Sequence, residues 1–120
     1  MSEKPNPLAD KSYVFALEII KVYKTLITAK KEYVLSKQLL RSGTSIGSNI
    51  AEANGAISNP DFSAKISIAY KESLETKYWL NLLKDSNYID EDKTKVLIQD
   101  ADELSRIMFA ILKSTRIKKG

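Results

Sequence analysis

Cysteine and histidine are both absent from this 120-residue sequence, and the two absences together exclude most familiar site chemistry. Without cysteine there is no disulfide, no thiolate nucleophile and no cysteine-ligated zinc. Without histidine there is no Ser-His-Asp triad, no HExxH zinc site and no Glu-x-x-His di-iron motif, so only an all-carboxylate metal site stays open. Long hydrophobic runs are missing too. No window holds the roughly 18 to 20 apolar residues that a membrane span needs, and the opening MSEKPNPLADK lacks the apolar centre of a secretory signal. A cytoplasmic protein with no membrane partner is expected. Acid is missing from one end: after Glu103 come Arg106, Lys113, Arg116, Lys118 and Lys119 with no carboxylate, so that segment carries +5 while the chain as a whole carries +4. The basic character therefore belongs to the carboxyl end.

What remains is helical. With 43% hydrophobic residues, 4 glycines and 3 prolines, the chain has enough apolar side chains for one core and few points at which to break. Residues 1–9, with Pro5 and Pro7, are expected as an extended lead-in, residues 10–114 as the folded domain and residues 115–120 as a basic tail. A first helix capped by Asp10 or Ser12 carries Phe15, Ile19, Val22 and Leu26 on one face, and Lys30 to Tyr33 makes the turn. A second helix, about Tyr33 to Ala53, has an apolar stripe of Leu35, Leu39, Ile46 and Ile50. Gly43, Gly47 and Ala51 line one flank of that stripe, and Gln38, Ser42, Ser45, Asn49 and Glu52 line the other. Gly55 stands where a left-handed residue would close it.

Ser58-Asn59-Pro60-Asp61 reads as the clearest start in the chain, a capping side chain followed by Pro and an acid in the first turn. The third helix runs to about Lys84 along a line of Phe62, Ile66, Ala69, Ser73, Thr76, Leu80 and Leu83. The middle of that line is small, as is the middle of the second helix, so those two helices are expected to approach most closely there. Asn87 suits a left-handed cap, and Asp90-Glu91-Asp92 opens a fourth helix whose core face is Leu97, Ala101, Leu104, Met108 and Ile111. Four amphipathic helices with short connections predict an all-α, up-down antiparallel four-helix bundle.

Two motifs in order carry a family resemblance. Ser45-Ile46-Gly47-Ser48-Asn49-Ile50-Ala51-Glu52-Ala53, followed by Ala69 to Leu80 with Glu72, Glu75, Thr76 and Trp79 in place, is similar to the bacterial four-helix-bundle family named after the 23S rRNA intervening sequence protein. Proline is commoner there at position 47 and glycine at position 53. The resemblance implies the bundle fold. More distantly it implies the properties of the accessory variability protein of diversity-generating retroelements, a pentamer that binds nucleic acid and a reverse transcriptase.

Candidate sites follow from charge and polarity. Lys113, Arg116, Lys118 and Lys119, extended by Lys37 and Arg41 one turn apart on the second helix, form the candidate nucleic-acid surface, since cations on one face attract phosphates without reading bases. Against that, cations at a helix carboxyl terminus also favour the dipole. Ser45, Asn49, Glu52, Glu72 and Glu75 form a candidate polar network. Its members are either solvated or tie adjoining loops down, or the carboxylates gather to share a proton or a divalent ion, or they enter ion pairs with neighbours such as Lys71 and Lys77. No catalytic residue, metal or cofactor is expected. Gly43-x-x-x-Gly47 lacks the Lys and the preceding strand of a phosphate loop and suits close packing. Trp79, Tyr78, Tyr70 and Tyr88 serve either the core or a protomer interface. The expected function is a non-catalytic homo-oligomer, a pentamer by the resemblance, that binds nucleic acid. The alternative is a scaffold that holds a partner protein.

Overall fold

Asn6 starts the first helix: its side-chain oxygen accepts from the Ala9 N–H at 3.1 Å, and Pro7 follows at the first helical position, where no N–H is needed. The computed structural model describes the backbone of residues 6–119 and the side chains of residues 6–115. It contains α1 (Pro7–Thr28), α2 (Leu35–Asn54), α3 (Asn59–Asp85) and α4 (Glu91–Lys119). Helix thus begins at Pro7, inside the expected lead-in, whose residues 1–5 lie outside the described residues, and Ser12 is a buried residue inside α1 rather than its cap. The backbone of the expected tail continues α4 as helix to Lys119.

The ends are settled by local chemistry. Lys31 has φ 56°, which turns the chain out of α1 and brings the Glu32 N–H to 2.9 Å from the Leu26 carbonyl. Asn87, at φ 68°, does the same after α3, where the Tyr88 N–H reaches the Leu83 carbonyl at 2.8 Å. Gly55 does not take the left-handed role: its φ is −100°, and its N–H bonds the Glu52 carbonyl at 3.1 Å. Ser58 accepts from the Asp61 N–H at 3.1 Å to open α3, and Asp90 accepts from the Lys93 N–H at 2.7 Å to open α4.

Every neighbouring pair of helices is antiparallel. Ile19 and Ser12 of α1 face Gly43 and Gly47 of α2; Arg41 and Glu52 of α2 face Glu75 and Lys65 of α3; Ser73 and Lys77 of α3 face Ser105 and Asp102 of α4; and Lys11 and Glu18 of α1 face Glu103 and Lys93 of α4. This is the expected up-down four-helix bundle. The expected stripes supply the core, with Phe15, Ile19, Leu26, Leu39, Ile46, Ile50, Ile66, Leu80, Leu83, Leu97, Leu104 and Met108 all buried. Phe62 and Ile111 are only half-buried, and Leu112 is buried beside the latter.

The small residues divide between two seams. Ser42 meets Thr76 where α2 and α3 pack, whereas the glycines face α1. A Cβ on Gly43 would lie 2.8 Å from Ile19 Cγ1, and one on Gly47 would lie 3.4 Å from the Ser12 carbonyl oxygen. The α1–α4 seam is the loosest of the bundle and opens into two clefts, of about 810 and 250 Å³. No helix among the described residues is long and apolar enough to cross a membrane.

Candidate functional site

The expected polar network separates into parts that do not meet. Arg41, on the second turn of α2, extends its guanidinium across the seam to α3, where Nη1 lies 3.1 Å from Glu72 Oε2 and Nη2 bonds Glu75 Oε2. The same Glu75 oxygen accepts from the indole N–H of Trp79 at 3.1 Å, one helical turn further along. Ser45 and Asn49 bond within their own helix instead, Ser45 Oγ to the Arg41 carbonyl at 2.5 Å and Asn49 Nδ2 to the Ser45 carbonyl at 2.8 Å. Glu52 lies eleven residues beyond Arg41, about 16 Å along the helix axis. It pairs with Lys65 at 2.9 Å and, by that hydrogen bond and its charge, pushes the lysine pKa up. Of the alternatives, the ion pairs form and the carboxylate cluster does not: Glu72 and Glu75 belong to one ion-pair set and Glu52 to another. The cation between Glu72 and Glu75 is Arg41, not Lys71 or Lys77; Lys77 pairs with Asp102 at 2.7 Å. Among the described residues no group of three or more acids could hold a metal ion.

That geometry also changes the expected basic surface. Arg41 is engaged by two carboxylates and is not a free cation extending a patch. Lys37 is exposed near the start of α2, and Lys113 is exposed far along α4. The Ser73–Ser105 contact sets the α3–α4 register. Eight residues back along α3 is Lys65 and eight residues on along α4 is Lys113, so Lys113 is level with the Lys65–Glu52 pair. Lys37 is fifteen residues before Glu52 on α2, or about 22 Å away along the bundle, more than twice a physiological Debye length of about 8 Å. Lys37 and Arg41 thus do not join Lys113 in one field. Arg116, Lys118 and Lys119 lie outside the residues whose side chains are described.

Several polar features were not visible as such in the sequence. Glu32 is 7% exposed, and its carboxylate accepts from the N–H groups of Val34, Leu35 and Ser36 at 2.7 to 3.1 Å, capping a helix whose own cap residue, Val34, has no side-chain acceptor. Burial works to raise its pKa, but the three backbone donors outweigh it and hold the carboxyl below its ordinary value. The available signal was a lone acid among Lys30, Lys31, Lys37 and Arg41, just ahead of a helix. Inside the bundle, α3 carries two hydroxyl contacts: Thr76 with Ser42 at 3.0 Å on one side and Ser73 with Ser105 at 2.7 Å on the other. All four residues are buried.

The aromatic expectation is also redistributed. Tyr70, Trp79 and Tyr88 pack against the core, while Tyr78 is 58% exposed and stacks edge-on against Trp79. Exposed apolar side chains gather instead on α1, at Tyr13, Val14 and Leu17. Beside them, the smaller cleft between α1 and α4 has Val14, Phe15 and Leu104 with Asp100 and Glu103 around it. Burial and the neighbouring charges of Glu103 and Glu18 raise the Asp100 pKa.

Comparison with known proteins comes to the same architecture. The family model for the 23S rRNA-intervening sequence protein matches residues 6–110. A solved structure of a protein of unknown function from the S23 ribosomal protein family of Bacteroides thetaiotaomicron is 46% identical, with a TM-score of 0.87. The match covers 88% of this chain and 98% of that one. No curated protein matches.

Proposed function

This chain belongs to the 23S rRNA-intervening sequence protein family, and on that premise we propose that it is a non-catalytic bundle, assembled from several copies, that binds nucleic acid through basic surface with little sequence specificity. The observation that carries this reading is the acid-free carboxyl end, where Arg106 and Lys113 are exposed on α4 ahead of Arg116, Lys118 and Lys119. Arg106 and Lys113 stand before the last turn of α4, where the helix dipole acts, so the dipole does not account for them, and assembly multiplies the whole set. Point charges on phosphate position a protein without reading bases, so discrimination among sequences is weak. A non-catalytic role is supported by the engagement of the candidate acids: Glu72 and Glu75 hold Arg41, and Glu52 holds Lys65.

Binding of a labelled 20-nucleotide RNA, followed by fluorescence anisotropy across a salt series, tests the reading. The log–log slope is expected at about −0.7 per phosphate contact for a single strand. Changing Arg116, Lys118 and Lys119 together to Glu flattens it and removes most of the affinity. An unchanged slope in that variant transfers the function to the second reading, a scaffold for a partner protein, which the exposed Tyr13, Val14 and Leu17 of α1 favour. Those side chains equally support contact between copies. A single 13.5 kDa species in sedimentation at micromolar concentration removes the multi-copy part of the proposal.

A further inference from the structure

The α1–α2 corner lies at the end of the bundle opposite the carboxyl end of α4, because α2 starts and α1 finishes there while α4 is only beginning. Lys24, Lys30, Lys31 and Lys37 are all exposed around it, and among the described residues none of them forms an ion pair. The one acid in that stretch, Glu32, is turned inward and spent on the N–H groups that open α2. The corner therefore shows solvent four unpaired ammonium groups, one of them held out by the left-handed backbone at Lys31. Tyr33 stands beside them in sequence at 53% exposure, and among the described residues no aromatic ring stacks on it.

The larger cleft opens next to the corner, and Lys30 lines it. Its volume of about 810 Å³ falls within the range of small-molecule sites, roughly 300 to 1,000 Å³, and is ample for one nucleotide. Val22, Leu26, Ile89 and the half-buried ring of Tyr88 line it with apolar surface. Asp85 and Asp90 stand on its α3–α4 side, Asp90 occupied in capping α4 and Asp85 beside Lys84 at 3.7 Å. Charge inside the cleft is mixed, with Lys21, Lys84 and Lys93 beside Asp85, Asp90 and Glu91, whereas the corner adds Lys30 at its rim and Lys24, Lys31 and Lys37 outside it, none of them in an ion pair among the described residues. A chain of phosphates is held by those unpaired ammonium groups, with its bases free to turn towards the cleft.

We propose that this corner is a single-stranded nucleic-acid site, with Lys24, Lys30, Lys31 and Lys37 on phosphates, one base stacked on Tyr33 and a neighbouring nucleotide entering the cleft against Tyr88. Cations that follow a backbone beside exposed aromatic faces are the means by which proteins hold unpaired strands. A duplex keeps its bases stacked and offers none to Tyr33. The proposal rests on the nucleic-acid reading above and adds to it a second contact region, about 22 Å from Lys113 along the bundle at Lys37.

The test uses the full chain, a labelled 20-nucleotide oligouridine and a 20-base-pair RNA duplex. Tyr33→Ala is expected to weaken oligouridine binding about 5- to 150-fold, as loss of one stacked base does, while Tyr33→Phe retains it and duplex binding is unchanged. Lys30→Glu with Lys31→Glu flattens the oligouridine salt slope by about 1.4, the value for two single-strand phosphate contacts. Melting curves of each variant report folding independently, and Lys24→Gln with Lys37→Gln gives a second pair on intact helices. If both lysine pairs and Tyr33→Ala bind as the parent does, while the carboxyl-end variant fails, the corner site is wrong and the basic carboxyl end stands. Equal losses on duplex and oligouridine overturn the single-strand assignment. A parent that binds neither RNA overturns both proposals.

Discussion

Removal of the Glu32 carboxylate is the sharpest test of how this bundle is held together, because one buried side chain does the work usually shared by a cap and a first turn. Three of the four N–H groups that α2 would leave unpaired donate to it, those of Val34, Leu35 and Ser36. Its own carbonyl accepts from the Ser36 hydroxyl at 2.8 Å. A lost cap costs about 0.5 to 2 kcal/mol, and a hydrogen bond to a charged group contributes about 1.5 to 3 kcal/mol. The bonds share one acceptor and are not additive, so Glu32→Ala is expected to cost about 3 kcal/mol, which lowers the melting temperature by about 10 °C in a domain of this size. Glu32→Gln keeps one acceptor oxygen and should cost about half as much. The pH dependence separates the charge from the shape. Burial opposes the ionised form, but the donors prevail and the folded pKa lies below the ordinary value of 4.5. The charge therefore stabilises fully above the unfolded pKa, and this contribution disappears as pH falls through the lower folded pKa. Thermal melts of the parent and Glu32→Gln should differ at pH 7 and converge towards pH 3. A gap of the same size at both pH values, or a Glu32→Ala protein that melts within a degree of the parent, would refute the reasoning.

Two further predictions concern the seams. Gly43→Ala should destabilise, because its Cβ would meet Ile19 at 2.8 and 2.9 Å inside a closed core, an overpacking cost of about 1 to 3 kcal/mol that exceeds the gain in helix propensity. Gly47→Ala has only ordinary contacts with Ser12 and should raise stability by about 0.5 to 1 kcal/mol; a differential melt in which the two variants move in the same direction would sink the distinction. Glu75→Gln removes the charge that Arg41 and the indole N–H of Trp79 share. Arg41 is about half exposed, so the stability cost should stay near 1 kcal/mol or less, while the emission of the sole tryptophan shifts; an unaltered spectrum would show that Trp79 does not depend on this pair.

Periodicity and caps are local properties, and by themselves they determined that this chain makes four helices and which faces they bury. Phe15, Ile19, Leu39, Ile46, Ile66, Leu80, Leu97 and Leu104 sit at helical spacing, and burial follows because no other face can leave water so cheaply. Ser58-Asn59-Pro60-Asp61 and Asn87 likewise act where they stand, since each satisfies backbone groups within a few residues. Side-chain partners across a seam depend on register and rotation, which no local pattern contains. Arg41 looked like a free cation until α3 placed Glu72 and Glu75 beside it, and Glu52 looked like their neighbour until the helix axis carried it away. The glycines of α2 suited any close neighbour, and only the packing order assigned them to α1. Glu32 was a lone acid among lysines, with no evident partner, until a left-handed Lys31 turned it under the start of α2. The corner lysines are separated in sequence by a turn, and it is the antiparallel return of the chain that gathers them at one end of the bundle, away from the basic carboxyl end.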